Sequence, residues 1–374
     1  MTHDEIDLIR AIRPEEVSYD PLNKARARAR MLDGNAHPPR RRRRRTTAFA
    51  LTAAATAATA AVAAAVVGVG DGTPGRQGSG PAAAPPDARQ MVLAAAHQAE
   101  RRATGRYLTV HDRSCFSLPV RHEVGTYFIA VCDELWQWQA RDRTHDRARN
   151  SAIWSRDLPR RPLTPRDEAL WKKAGSPRTF PYQELPKKFP DYYKIGGTPW
   201  KEDAGKRDSN SGKFFVPGPG KEFSARQIQE LPTDPEALRK IFLPDLGKRT
   251  IATGPGEDID RLSGAVSDLP LPPKVWAGLI RMLTGTPGVR AVGRVTDPIG
   301  RPGVALEAPR STSARGGRGP VTTMERIIFA PGTGELLASV STTVKPGADM
   351  PKVMNSRVRI SATWSDTKPG SPPR

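Results

Sequence analysis

Cysteine is nearly absent from this chain of 374 residues: there are two, Cys115 and Cys132, and the first 114 residues have none. Two thiols and six scattered histidines (His3, His37, His97, His111, His122 and His145) do not supply a spaced four-ligand set, so no metal site is expected. Also missing are a Gly-x-Ser-x-Gly elbow, a His-Glu-x-x-His pair and a Gly-Lys-Ser/Thr phosphate loop. Their absence removes the usual signatures of α/β-hydrolases, zinc proteases and nucleoside triphosphatases. His111 beside Asp112 is the nearest approach to an acid/base pair, but neighbours on a strand point to opposite faces. No catalytic residue and no cofactor is assigned.

Charge is missing from one place only. Thr46 to Gly70 is a run of 25 residues without an ionisable side chain, and it follows directly on Arg40, Arg41, Arg42, Arg43, Arg44 and Arg45. At a rise of roughly 1.5 Å per residue, Ala48 to Val69 reaches about 33 Å as a helix, enough to cross a hydrocarbon core of about 30 Å. Because the span is built of alanine, its insertion is weakly driven, and the six arginines become the topology-determining residues. Positive charge holds its flank in the cytoplasm, and Asp71 is the only charge near the other end. The reading is a single pass with the N-terminus inside and the mass of the chain outside the cell membrane. Three alternatives stay open. The span could be a cleaved signal segment, although its basic region is far longer than usual. The arginine block could bind nucleic acid, or the run could be a soluble alanine-rich linker helix. No nucleic-acid partner is expected, since the junction already has a topological explanation.

Residues 1–45 then form a basic cytoplasmic arm, with twelve basic against seven acidic residues. A helix with Ile6, Ile9 and Ile12 on one face and a basic segment around Lys24 to Arg30 suit anionic headgroups or a cytoplasmic regulatory partner; a disordered tail is the plain alternative. Residues 46–70 are the span and 71–86 a Gly/Pro/Ala linker. Residues 87–366 are the extracytoplasmic domain, with a loop-rich insertion at 158–232, and 367–374 a disordered tail. Beyond residue 45, 47 basic residues face 32 acidic ones, which favours anionic envelope surfaces.

Export agrees with the cysteines. Arg106 to Cys115 and Thr126 to Cys132 carry the aromatic and β-branched residues of strands, with Pro119 to Gly125 as turn material. A hairpin folding near His122 and Glu123 sets Cys115 opposite Cys132, and a disulfide there would contribute roughly 3 kcal/mol. Two separate buried thiols are the alternative.

Helices are predicted from Asp87, as N-cap, with Leu93 facing inward and Gly105 closing it, then at Pro165–Lys173, Thr233–Phe242, Asp258–Leu269 and Pro273–Leu283. Strands are predicted at Asp133–Arg141, Asn150–Asp157, Val289–Thr296, Gly303–Glu307, Thr322–Phe329, Glu335–Thr343 and Ser356–Trp364. The fold class is α+β, an exported antiparallel sheet, curved and half-barrel-like, with helices on one face. Trp136, Trp138 and Trp154, together with helix residues Val275 and Leu279, are the candidate ligand-facing set for an apolar or anionic envelope ligand. Aromatics from Trp171 to Phe215 could add to such a surface or simply pack loops. Arg315 to Arg318 reads as a flexible loop.

A family resemblance rests on the arginine-ended arm, the alanine-rich span, Leu231-Pro-Thr-Asp-Pro-Glu-Ala-Leu238 and Thr286-Pro-Gly-Val289. It continues through Val292-Gly-Arg-Val-Thr-Asp-Pro-Ile-Gly-Arg-Pro-Gly-Val304 and Phe329-Ala-Pro-Gly-Thr-Gly-Glu-Leu-Leu337. Together they resemble an actinobacterial family of uncharacterised single-pass membrane-anchored proteins. The order of elements is also similar to the half-barrels of periplasmic lipoprotein carriers and envelope-stress regulators. The family has no established activity, so the resemblance implies the anchored architecture; the functional expectation from the residues is a non-enzymatic ligand-binding or envelope-sensing domain, and the alternative is an envelope hydrolase with unrecognised catalytic residues.

The full chain is expected to sediment with membranes and resist alkaline extraction, and deletion of residues 46–70 to release it. Recovery of the undeleted chain from the soluble fraction would overturn the topology.

Overall fold

The structure, a computed structural model, describes residues 87–143, 150–180, 193–203, 213–216, 221–244, 252–267, 269–312, 320–346 and 350–373. The segments expected to be a cytoplasmic arm, a membrane span with its arginine flank and a linker lie outside the described residues, as does the loop around Arg315. Among the described residues no helix is long and apolar enough to cross a membrane.

The chain opens with helix α1 (Ala88–Glu100), followed by the long strands β1 (Tyr107–His122) and β2 (Gly125–Ala140) and by β3 (Ser151–Asp157). The insertion contributes short pieces: β4 (Arg161–Pro162), α2 (Pro165–Lys173), β5 (Thr179–Phe180), β6 (Tyr193–Lys194), β7 (Lys201–Glu202), β8 (Lys213–Val216) and β9 (Lys221–Ser224). Helices α3 (Ala225–Gln229) and α4 (Pro235–Phe242) lead to β10 (Ala252–Thr253), α5 (Pro255–Val266) and α6 (Pro273–Thr284). The last third is a meander of β11 (Arg290–Thr296), β12 (Pro302–Thr312), β13 (Val321–Phe329), β14 (Leu336–Thr343) and β15 (Val353–Ser365). The fold is α+β. Eleven strands form one open antiparallel sheet in the order β10-β12-β13-β14-β15-β1-β2-β3-β7, with β11 also on β12 and β4 on β2.

Local chemistry explains the element ends. Asp87 caps α1 by accepting from the Gln90 amide at 2.7 Å, and Asp234 and Thr164 cap α4 and α2, each just before a proline that starts the helix. Two expectations for α1 need correction. Its buried stripe is Val92, Ala95, Ala96 and Ala99, with Leu93 only half-buried, and it stops at Arg101 rather than at Gly105. The small stripe lets the β13–β14 turn come close: a side chain on Gly334, at φ 63°, would meet the Ala95 carbonyl at 2.2 Å.

The β1–β2 hairpin is longer than predicted. Pro119 lies within β1, opposite Phe128, and the turn shrinks to Glu123 and Val124. Proline is tolerated because β15 stops pairing with β1 at Phe116, so the missing amide faces an unpaired edge. Cys115 is the register partner of Cys132, the two are disulfide-bonded, and their Cα atoms lie 4.1 Å apart.

Strand parity sorts the sheet into two faces. Val304, Leu306 and Ala308 of β12 and Ile327 and Phe329 of β13 pack with α1, α3, α4, α5 and α6 in the main core. Within it α6 is apolar on nearly every side, with Val275, Ala277, Leu279, Ile280, Met282 and Leu283 all buried, as befits a central helix. Helix α2 covers the hairpin tip on the same face through Leu170 and Trp171 against Leu118, Val120, Tyr127 and Ile129. The opposite face carries a smaller cluster of Ala305, Ile328, Leu337, Ala338 and Val358. Here Asp297 holds Arg301 at 2.7 Å, and the guanidinium donates to the main-chain carbonyls of Leu337 (3.2 Å) and Arg359 (2.7 Å). Both carbonyls sit beside bulges, where the ladder leaves them unpaired.

Among the described residues, β1 and β15 alone pair the N-terminal strands with the C-terminal meander. At that seam Asp112, 1% exposed, accepts from Arg359 Nε at 3.0 Å and Arg357 Nε at 2.8 Å. Arg359 also donates to the Ser267 carbonyl at the end of α5, at 2.5 Å. Replacing Asp112 with alanine strands two largely buried guanidinium groups, and a loss of about 3–5 kcal/mol in unfolding free energy is expected by urea denaturation. A variant as stable as the parent would show the seam to be held otherwise.

Candidate functional site

Trp136, Trp138 and Trp154 gather on the face opposite the helices. Trp136 is the register partner of Trp154, with ring centroids 5.1 Å apart, and Trp138 meets Tyr107 edge-on at 5.7 Å. Trp200, just before the edge strand β7, joins them with its ring 5.8 Å from that of His111. Val275 and Leu279 do not belong here. Both are buried in the main core beneath the other face, so the sheet separates the two halves of the predicted ligand-facing set.

Beside the tryptophans, Arg113, Glu134 and Arg156 stand in register across β1, β2 and β3. Glu134, its side chain 2% exposed, accepts from Arg113 at 2.8 Å and from Arg156 at 2.5 Å. Burial alone would raise its pKa, but the two guanidiniums outweigh that and hold it below the usual carboxylate range. The Arg156 guanidinium also stacks over Trp200 at 4.5 Å. His111 Nε2 lies 3.4 Å from Glu134, within ion-pair reach, yet it is buried without a hydrogen bond. Asp112 points through the sheet to the helix side, as alternation requires.

On the helix side, a cavity of about 60 Å³ remains between the sheet and the helix layer. Leu108 and Trp364 floor it, Leu269, Leu271 and Trp276 roof it, and Arg102 and Arg359 stand in its wall. A larger hollow of about 230 Å³ lies on the opposite face beside the Asp297 turn, lined by Ile328, Val340, Val353 and Arg326. Its only cationic group is already spent, since Arg326 donates to Glu307 at 2.5 Å. The smaller cavity is the better candidate, because indole and leucine walls enclose it where the covering chain is a proline-rich connection, Leu269 to Pro273; its guanidiniums are paired as well, Arg359 with Asp112 and the Ser267 carbonyl and Arg102 at 3.6 Å from Glu335.

A third cluster is buried between α5 and the sheet. Arg310 of β12 binds Glu257 at 2.7 Å and Asp260 at 3.3 Å, both on α5, and lies 4.0 Å from Glu325 of β13. Thr323 and Ser341 donate their hydroxyls to Glu325 at 2.6 and 2.7 Å. Glu257 sits in the first turn of α5, as a helix N-terminus favours, but the partner that fixes it there is Arg310. Among the described residues no group of three or more His, Cys, Asp or Glu is placed to hold a metal ion.

Sequence reasoning gave no role to Glu134, Glu307 and Glu325 and read Asp112 only as the neighbour of His111. Their signal was a charge inside a long strand, where a buried carboxylate requires a cationic partner on the next strand.

Comparison of the chain with family models, curated proteins and solved structures gives no match. Function is therefore argued from the geometry of this chain alone.

Burial pushes the Glu325 carboxyl up to about 7, with the charge of Asp260 adding to it. A folded-state value above the ordinary 4.5 means that its contribution to stability is complete below about pH 4.5 and is lost as pH rises through 7. Glu325→Gln should remove that loss and gain on the order of 2 kcal/mol relative to the parent at pH 8 over pH 4.5. Denaturation curves at the two pH values check this, and a pH-independent difference would refute it.

Proposed function

We propose that residues 87–366 form a non-enzymatic, extracytoplasmic binding domain, anchored by a single N-terminal span with its arginine flank in the cytoplasm. The observation that carries the reading is the cavity between sheet and helices, where two indoles and several leucines meet Arg102 and Arg359. Apolar walls suit a short acyl or isoprenoid chain, and an anionic head would take the place of Glu335 beside Arg102, from which it stands 3.6 Å away. At about 60 Å³ the space holds about two water molecules. Pockets that take small ligands are several times larger, so loading requires the roof to move. The Leu269 to Pro273 connection suits that motion: three of its five residues are prolines without an amide to donate. Displacing Leu271 would disturb the α5 end that Arg359 holds through Ser267, a route by which occupancy could be reported across the sheet. In this reading the basic arm is the inward-facing partner site.

A competing reading, an envelope hydrolase, draws on His111 standing 3.4 Å from Glu134, with Ser361 as its register partner on β15. It is the weaker one, because Glu134 already serves two arginines and has little basicity left to orient an imidazole.

Native mass spectrometry of the full chain should show a co-purifying amphiphile. Leu271→Trp, which fills the cavity, should abolish it while the fold and the disulfide persist. A ligand-free parent, or an adduct indifferent to Leu271→Trp, would sink the proposal.

A further inference from the structure

Residues 367–373, the last that the structure describes, include a buried Pro372 and a half-buried Pro369. Ser365 turns the chain at the end of β15, accepting from the Thr367 amide at 3.0 Å and donating to the Thr367 carbonyl at 2.9 Å. Asp366 fixes the exit by accepting from the Arg106 amide at 3.1 Å, next to Tyr107. The following ammonium, of Lys368, lies 5.1 Å from the centre of the Trp138 ring. Trp138 is only 2% exposed and Tyr107 8%, although both lie on the face that no helix covers.

The tail itself reads Lys368-Pro369-Gly370-Ser371-Pro372-Pro373. Pro372 is buried and Pro369 half-buried, whereas Lys368, Gly370, Ser371 and Pro373 are exposed. Burial at every third residue is the period of the polyproline II helix, and the Pro-x-x-Pro spacing presents both buried rings on one side. Aromatic-lined surfaces recognise such segments because the extended conformation is preformed and costs little entropy to hold. Tryptophan and tyrosine rings supply flat apolar contact, and a neighbouring cation adds its attraction to the ring face.

We propose that the aromatic face at Tyr107 and Trp138 is a docking surface for proline-rich segments in the polyproline II conformation. At rest the chain's own Pro-x-x-Pro tail occupies it. The tail is an autoinhibitory strap, and a partner is a protein bearing a proline-rich extended stretch that displaces it. Binding is non-covalent and independent of the cavity under the helices.

The test uses the full chain with residues 367–374 deleted. Tail removal should shift tryptophan emission to the red and increase acrylamide quenching. A synthetic peptide of residues Thr367 to Arg374 should then bind saturably in trans and reverse both changes. The same peptide with Pro369→Ala and Pro372→Ala should bind about tenfold or more weakly. Unchanged emission on deletion overturns the proposal, as does a peptide whose binding ignores the prolines. If the truncated chain does not fold, the intact chain with P369A and P372A gives the same reading: quenching should rise, and quenching equal to that of the parent overturns the proposal.

Discussion

The pairing of β1 with β15 is the contact on which the architecture depends, and Asp112 is what sets its register. Every other junction between long strands follows from a turn or a short connection that limits how the strands can align. The β1–β15 seam joins residues about 250 positions apart, and no turn dictates which residue faces which. A slip of one residue there would turn Leu108, Val110 and Asp112 away from the helices and expose the core. Asp112 accepting from both Arg357 and Arg359 makes such a slip costly, because it would leave a carboxylate and two guanidiniums buried without partners. Arg359 extends the constraint to the helix layer through the Ser267 carbonyl, so one carboxylate aligns two halves of a sheet and the helix that covers them.

The same device recurs. Glu134 stands between Arg113 and Arg156, and Glu307 between Arg290 and Arg326, each triplet in register across three consecutive strands. An acid flanked by two arginines leaves a surplus positive charge, so part of the basic balance of the chain is spent inside the fold rather than on a partner. Buried ionic groups of this kind add little net stability compared with apolar residues of the same size. Their use at three sites fits register definition in a wide sheet whose strands would otherwise tolerate slippage. The cluster at Arg310 differs: three carboxylates share one guanidinium, and burial together with the charge of Asp260 keeps Glu325 readily protonated near neutral pH.

Much of this fold was legible in the sequence, because its signals are local. The hairpin, the meander from Val289 to Trp364, the helix at Pro165 and the cysteine pairing follow from alternation, turn chemistry and proline position. What was not legible is which of two alternating sets faces the helices. In β2 the tryptophans are the more apolar set and Gln137 and Gln139 the more polar, so local hydrophobicity points Trp136 and Trp138 toward the core. The structure does the reverse: Gln137 shares the face of Val110, and the indoles lie on the other side. The choice is made non-locally, by Leu108 and Val110 on β1 and by Asp112 reaching Arg359, none of which a reading of β2 can supply. For the same reason a ligand-facing set combining those tryptophans with Val275 and Leu279 was drawn across a sheet that keeps them apart.

Both faces of the sheet carry apolar surface, and at each candidate site the cover is a proline-rich segment without regular secondary structure. Leu269 to Pro273 roofs the cavity on the helix side, and on the other Lys368, at the start of the proline-rich tail, lies 5.1 Å from the centre of the Trp138 ring. Proline makes this arrangement physically reasonable. It fixes φ in advance, so laying the segment down costs little conformational entropy, and it lacks an amide, so few donors are engaged: in the roof those of Leu269 and Leu271 donate to the Val266 and Leu269 carbonyls. A helix or an edge strand covering the same surface would have to break a hydrogen-bonded ladder to leave. Covers that are inexpensive both to place and to remove belong on surfaces meant to be uncovered. The sheet itself, pinned by its acid and arginine clamps, is then the rigid part against which either cover can move.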